Sequence, residues 1–575
     1  MADSSPSPSN GAVVSDGHTV QPPLTTWELL ESMDFMALEF QMVISAIFII
    51  YVGAHASLRR PPSAAPPERN KNKKRKKDGK DELKEQFAPG FEASDAILFP
   101  LMAGTVLIGL YYLIKWLQDP AILNTILRWY MSITGVIGTG TFLGNATQVL
   151  LGFVFPDHWV DGKGKVWDID SRYRTQSSHI EGEEVQITKD AASKRTPFPG
   201  YASSLSLSSR LRETLFTVRH LLMEDWNLQL NIWGMGQETI PFKFTTLIGC
   251  GLGVVLQGSY LYTGNNMLAN IIGLAVCYMA FMYMSVTSFP IGSLVLAGLF
   301  VYDIIMVFYT PFMVGVATQL DVPIKLTYKT ANRSSMLGLG DIVIPGIFIC
   351  LALRFDLWKH YQRKITKEET VLTTISGNKQ GLGGDVQEIT TTEKVFREVK
   401  APFVDPRGQW GNHFWTTSWR NLFFGNSSSS SVANGEFAKT YFHATMLGYL
   451  LGLLVTIGIL LIFKRGQPAL LYLVPGVLGS VYLTGWWRGE MSDLFKYTEN
   501  GDLDTKDVVV EVDGDGKPIE ADTKPVKDTT DGENKPDSAV DVKKDGEKRK
   551  EAYEAYEVFT FSITAPGEEV ISKKD

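Results

Sequence analysis

Long apolar runs constrain this 575-residue chain more than any other feature. Nine stretches of about twenty residues each can be drawn, at roughly 37–57, 95–117, 128–154, 244–263, 265–286, 289–313, 336–354, 440–463 and 468–487. A run of that length satisfies its own backbone hydrogen bonds inside a bilayer only as a helix. The sequence therefore predicts an all-α polytopic membrane protein of about nine transmembrane helices. Average composition hides this, because 45% hydrophobic and 20% charged residues are a mean over apolar blocks and charged low-complexity segments. The net charge of −7 says little about partners, since much of the acid lies near the C-terminus. Cys250, Cys277 and Cys350 all lie in apolar runs and read as buried thiols, not a disulfide framework. Residues 1–34 are polar, Pro/Ser-rich and acidic, and lack the basic flank of a cleavable secretory signal.

The stretch "RRPPSAAPPERNKNKKRKKDGKDELK" (59–84) follows the first span. A basic run beside a membrane helix reads as a cytosolic loop under the positive-inside rule, in preference to a nuclear-localisation signal. The N-terminus is then lumenal, and an odd number of spans places the C-terminus in the cytosol. Loops 155–243 and 355–439, both rich in Lys and Arg, fall on the same cytosolic side. The expected organisation is a disordered lumenal segment 1–34; the first helix with its basic loop, 35–94; helices 2–5, 95–286; a catalytic region of helices 6–9, 287–487; and a disordered acidic tail, 488–575. Within the loops, "SSRLRETLFTVRHLLMEDW" (208–226) has apolar residues at helical spacing, and either lies along the membrane or packs on the protein body. "GQWGNHFWTTSWRNLFF" (408–424) has the aromatics of an interfacial belt, and "NSSSSS" (426–431) reads as a linker.

Two carboxylates interrupt the spans. Asp303 lies in "GSLVLAGLFVYDIIMVFYTP" and Asp341 in "MLGLGDIVIPGIFICLAL". A charged Asp at a membrane-helix centre costs roughly 2.5–3.5 kcal/mol on insertion scales, so each is a functional hypothesis. Counted from the expected lumenal edges at ~1.5 Å per residue, the two lie roughly 12 and 8 Å deep on antiparallel neighbours. They can face each other. Two facing carboxyls in an apolar setting share one proton and titrate as a pair. Such a pair activates a water, the ionised member taking its proton while the protonated member polarises a peptide carbonyl. Gly338 and Gly340 leave room for an unwound strand and loosen the helix before Asp341, and Pro345-Gly346 supply a second weak point. "GTGTFLG" (138–144) and "GCGLG" (249–253) read as small-residue helix packing. Pro468 suits the first turn of the last helix.

"YD" in one span, "GLGD" in the next and "QPAL" opening the last resemble the three signatures of the GxGD intramembrane aspartyl proteases. "LGLGDIVIPGIF" followed by "LRFD", with "FKRGQPALLYLVP", is similar to the signal peptide peptidase branch. The resemblance covers roughly 95–490 and implies a presenilin-like fold. It implies that Asp303 and Asp341 are catalytic, that Tyr302, Gly338, Leu339 and Gly340 shape the site, and that Pro468, Ala469 and Leu470 pack against the pair and help to bind substrate. It also implies cleavage of remnant signal peptides and other type II-oriented single spans in the endoplasmic reticulum membrane, with no cofactor, metal or nucleic acid. The orientation derived from the basic loops matches this branch, whereas presenilins share the motifs with the catalytic helices inverted. The chain departs from the family in its longer loops and tail, and in ending "SKKD" where a KKxx retrieval signal is common.

Other classes have less support. There is no HExxH for zinc, and His55 and His443 lie near span ends, leaving no base for a serine protease. A proton-coupled transporter would use buried carboxylates, but no internal repeat is visible. A proteolysis-independent quality-control or sorting partner is the third reading. Assembly as a homo-oligomer or within a membrane-protein degradation complex is left open, and Asn332 of "NRS" is expected to be unmodified.

Overall fold

The computed structural model describes residues 26–65, 90–91, 93–117, 120–161, 166–171, 174–179, 196–232, 236–320, 323–330, 334–376, 389–416, 437–463, 467–499 and 559–566. Helices occupy all nine expected spans: α1 (Thr26–Ala56), α2 (Ala93–Leu117), α3 (Pro120–Val154), α5 (Phe244–Thr263), α6 (Asn266–Tyr283), α7 (Phe289–Ile304), α9 (Gly340–Gln362), α11 (Thr440–Phe463) and α12 (Leu470–Arg488). Shorter helices are α4 (Ser209–Met223), α8 (Phe312–Gln319), α10 (Trp410–Thr416) and α13 (Met491–Lys496). Twelve short strands complete the described structure: β1 (Gly90–Phe91), β2 (His158–Val160), β3 (Val166–Asp170), β4 (Thr175–His179), β5 (Asp225–Ile232), β6 (Gly236–Lys243), β7 (Ser285–Val286), β8 (Lys325–Lys329), β9 (Ser334–Gly338), β10 (Thr366–Ser376), β11 (Ile389–Val399) and β12 (Phe559–Thr564).

Among the described residues seven helices are long and apolar enough to cross a membrane. The two expected spans outside that set are α3 and α9, and each has a physical reason. Helix α3 starts at Pro120, eight residues before the expected edge, with Pro in the first turn, and is rich in Gly, Thr and Asn. Helix α9 carries Asp341, Arg354 and Asp356, more charged groups than a lipid-facing span of its length tolerates. It needs no lipid-compatible surface, because every residue from Pro345 to Trp358 is buried by α1, α6, α7, α11 and α12.

Small residues bring these helices together, as packing in a bilayer requires. A Cβ on Gly253 would stand 2.9 Å from the Gly140 backbone nitrogen, so the two glycine motifs of α3 and α5 interlock as expected. Helix α9 runs unbroken past Pro345 and Gly346. Gly346 and Gly53 of α1 form the two walls against which the Phe281 ring of α6 is seated. Cys277 and Cys350 are buried, but Cys250 is exposed on α5, contrary to expectation.

The expected start of the seventh span at 336 is a correction. Ser334–Gly338 is the strand β9, paired antiparallel to β8 from Lys325↔Gly338 to Lys329↔Ser334. A short apolar run does not reveal by periodicity whether it is strand or helix, and "SSMLG" merges with the helix that follows.

Around the bundle, β2–β3–β4 form a sheet that packs Trp159, Trp167 and Ile169 against Phe216 of α4. Arg219 of α4 donates to Asp157 at 2.8 Å and to the Pro156 carbonyl, so this helix packs on the body of the protein. Helix α10 lies on α3, with the Trp415 indole donating to Phe153 O at 2.9 Å. The tail expected to be disordered from 488 is folded at its start. The Lys359 ammonium meets Glu490 at 2.5 Å, and Arg354 meets Glu499 at 2.6 Å, tying residues 490–499 to the far end of α9. Strand β12 pairs with β5, as taken up below. Residues 66–89, which hold most of the basic run 59–84, the first two residues of the NRS sequon, residues 417–436 and most of the tail lie outside the described residues.

Candidate active site

Asp303 is the penultimate residue of α7, directly before a π-helical turn at Ile305–Tyr309. Such turns widen a helix and are frequent at functional sites. The carboxyl is 3% exposed, and its Oδ2 has no hydrogen-bond partner among the described residues. The backbone amide of Leu470 lies close enough to interact electrostatically with the carboxyl. Leu470 opens α12, where the first-turn N–H groups lack helical partners and the helix dipole presents its positive end. That geometry explains the "QPAL" sequence: Pro468 and Ala469 turn the chain into α12 so that an amide points at a carboxylate. Tyr472 donates to Gln467 Oε1 at 2.6 Å and braces the turn.

Asp341 is the second residue of α9, so it sits in a first helical turn and shallower along its helix than the sequence suggested. It stands within electrostatic reach of Asp303. A Cβ on Gly338 would come 3.3 Å from Asp341 Oδ2, whereas one on Gly340 would meet nothing within 4 Å. The first glycine therefore borders the carboxylate and the second borders open space. Leu339 is buried against Gly273 of α6, and the Tyr449 hydroxyl donates to the Asp341 carbonyl at 3.3 Å.

The β8–β9 hairpin that delivers Asp341 is held on two sides. Asn270 of α6 accepts from Thr327 N at 2.8 Å and donates to Thr327 O at 2.9 Å. On α1, Glu39 accepts from Ser335 Oγ at 2.7 Å, and Ser45 shares a 2.7 Å hydrogen bond with Tyr328. Because Thr327 faces Asn270, its opposite residue Met336 and the next such residue, Gly338, turn their N–H and C=O groups away from β8. The hairpin thus presents a strand edge immediately before Asp341.

Tyr302 lines an apolar cavity of about 590 Å³ with Leu98, Met102 and Val106 of α2, Val316 of α8 and Ile324. The structure thus brings together Asp303, Asp341, Gly338, Gly340 and Leu470, with Tyr302 on the adjoining cavity. Glu39, Asn270 and Tyr449 were missed by sequence reasoning. Glu39 carried a usable signal, being an acid three residues inside an apolar run, but its place at the run's edge reads as a flank. Asn270 and Tyr449 carried none. Among the described residues no three His, Cys, Asp or Glu side chains converge as metal ligands.

The chain is similar in sequence to several known proteins. Human signal peptide peptidase is 29% identical over 288 residues, which are 48% of this chain and 56% of that protein. Intramembrane protease 2 of Caenorhabditis elegans is 33% identical over 257 residues, covering 43% of this chain and 42% of its own. A probable intramembrane protease of Schizosaccharomyces pombe is 31% identical over 249 residues, covering 43% and 61%. The matches thus span about half the length of each relative. The family profile described as signal peptide peptidase matches residues 82–501, which hold both carboxylates, the β8–β9 hairpin and the start of α12. On that extended match the chain belongs to the signal peptide peptidase family.

Proposed function

We propose that this protein is an intramembrane aspartic endopeptidase with Asp303 and Asp341 as its catalytic pair. The observation that carries the reading is the pairing itself: two carboxylates on separate bundle helices within electrostatic reach of one another, with the Leu470 amide beside one of them. In the reaction one carboxyl is ionised and one protonated. The ionised member takes a proton from a water as its oxygen attacks the scissile carbonyl, and the protonated member donates to the carbonyl oxygen. The gem-diol intermediate collapses with cleavage of the C–N bond, the proton acquired from water passing to the leaving amine and a hydroxyl proton returning to the carboxylate that had donated. The Leu470 amide stabilises the charged member in the low-dielectric surroundings of the bundle.

A substrate helix shields its carbonyls, so it must unwind before attack, and its freed backbone groups then need partners. The open edge at Met336 and Gly338 supports this step, since an extended segment laid along it would reach Asp341. The cavity beside Tyr302 supports entry from the α2 side. The substrate class proposed is remnant signal peptides and other type II-oriented spans. The basic loops support an endoplasmic reticulum orientation with lumenal N-terminus and cytosolic C-terminus. The test is cleavage of a signal-peptide-like segment by purified, reconstituted protein beside Asp303→Ala and Asp341→Ala. Cleavage by the wild type alone is expected; equal product from either variant overturns the proposal.

A further inference from the structure

Strand β5 forms the centre of a three-stranded antiparallel sheet, β12–β5–β6, whose third strand comes from far downstream in the chain. Pairing runs from Phe559↔Ile232 to Thr564↔Asn227 on one side and from Asp225↔Lys243 to Ile232↔Gly236 on the other. Side chains alternate between faces along each strand. One row across the sheet is Ile563–Leu228–Ile240, with Phe561 beside it. The opposite face carries Asn227 with Thr564 and Gln229 with Ser562, the last pair joined by a 3.4 Å hydrogen bond. The sheet is therefore amphipathic, and its apolar side is open: Phe561 is 55%, Ile563 48% and Ile240 45% exposed.

This apolar face continues into a membrane helix. Trp226 packs on Phe242 at 6.4 Å and on Phe244 at 5.5 Å between ring centroids, and Phe244 is the first residue of α5. Helix α5 then presents exposed Leu247, Leu252, Val254 and Val255 outward along its length. The aromatic cluster sits where an apolar span meets its polar flank, which is the position such residues take at a bilayer surface. The polar tip of Trp226 is satisfied within the protein, its indole N–H donating to Leu221 O at 2.8 Å.

We propose that this sheet is a membrane-surface anchor, in which Phe561, Ile563, Leu228 and Ile240 lie in the headgroup region of the leaflet that α5 enters. Continuity with the lipid-facing side of α5 selects a bilayer as the occupant. Strand β12 supplies two of the four apolar side chains, so the anchor also tethers the downstream segment to the membrane.

The experiment uses full-length protein in nanodiscs of phosphatidylcholine and phosphatidylserine. A Cys250→Ala background removes the exposed thiol, Cys277 and Cys350 being buried. Nitroxide labels are placed singly through Phe561→Cys, Ser562→Cys, Ile563→Cys and Thr564→Cys, and collision rates are measured with oxygen and with a water-soluble nickel chelate. Labels at 561 and 563 are expected to favour oxygen several-fold over those at 562 and 564. Adding Ile563→Asp to the 561 label should shift it toward the nickel chelate. Equal chelate access at all four positions overturns the proposal. So do labels at 561 and 563 that are shielded from both reagents, because a protein surface or a second copy would then cover the face.

Discussion

Gly452 offers a way to move the Leu470 amide without touching any group in the site. It lies on α11 where that helix crosses the first turns of α12, and it is buried. A Cβ there would stand 2.9 Å from Tyr472 O, 3.0 Å from Leu473 Cα and 3.2 Å from Leu473 Cδ2. Two of these are backbone atoms, so no rotamer change relieves them. Ordinary contact lies near 3.5–4.0 Å, which requires the start of α12 to shift by about 0.5–1 Å. Leu470 is within one helical turn of that contact and moves with it. A misplacement of about 1 Å costs up to about 100-fold in rate, so Gly452→Ala should lower kcat about 10- to 100-fold. Overpacking costs about 1–3 kcal/mol, while replacing a helical Gly by Ala returns about 1 kcal/mol. Stability should therefore fall by no more than about 2 kcal/mol, leaving the protein folded. Gly458→Ala on the same helix is the control, since a Cβ there meets nothing within 4 Å. The assay is peptide cleavage in proteoliposomes with kcat and KM separated, alongside thermal unfolding in the same detergent. Wild-type kcat in Gly452→Ala, or an equal loss in Gly458→Ala, refutes the claim that this helix crossing sets the amide on Asp303.

Two further outcomes follow from the same geometry. Gly338→Ala crowds Asp341 Oδ2 at 3.3 Å and should lower kcat, whereas Gly340→Ala projects into open space and should act on KM, as steady-state kinetics on one peptide would reveal. Burial raises the Glu490 carboxyl, but hydrogen bonds from Lys359, Arg488 and Tyr441 outweigh it and hold the group down to about 2, below its ordinary 4.5. A depressed carboxylate stabilises fully above its unfolded value and loses that contribution as pH falls from about 4.5 toward 2. The gap in melting temperature between wild type and Glu490→Gln should accordingly be widest near neutral pH and shrink on acidification through that window.

Asp303 and Asp341 were legible as candidates in the sequence because bilayer physics makes them costly, and a costly residue inside an apolar run stands out without any structural knowledge. Span positions were legible for the same reason, with edges displaced where helices continue beyond the apolar core, as α3 does at Pro120. Hairpin β8–β9 was hidden because its second strand is apolar and runs straight into a helix. Pairing with Lys325–Lys329 and the grip of Glu39, Ser45 and Asn270 hold it extended. Pro468 was read as an ordinary helix start; the amide it aims at Asp303 depends on a tertiary contact that no local pattern encodes. Strand β12 was still further out of reach, since Ser562 meets Gln229 across 333 positions of sequence. An isolated alternating hexamer within a charged tail gives no sign of its partner.

If Asp303 and Asp341 act as one chemical unit, as proposed, their removal is non-additive. Single-turnover cleavage of a signal-peptide-like segment should be compared for wild type, Asp303→Asn, Asp341→Asn and the double variant, with substrate binding measured separately. Groups that share a step lose nearly everything with the first removal. Each single variant should bind substrate yet be as inactive as the double. Substantial cleavage by either single variant, with a further independent drop in the double, would contradict it.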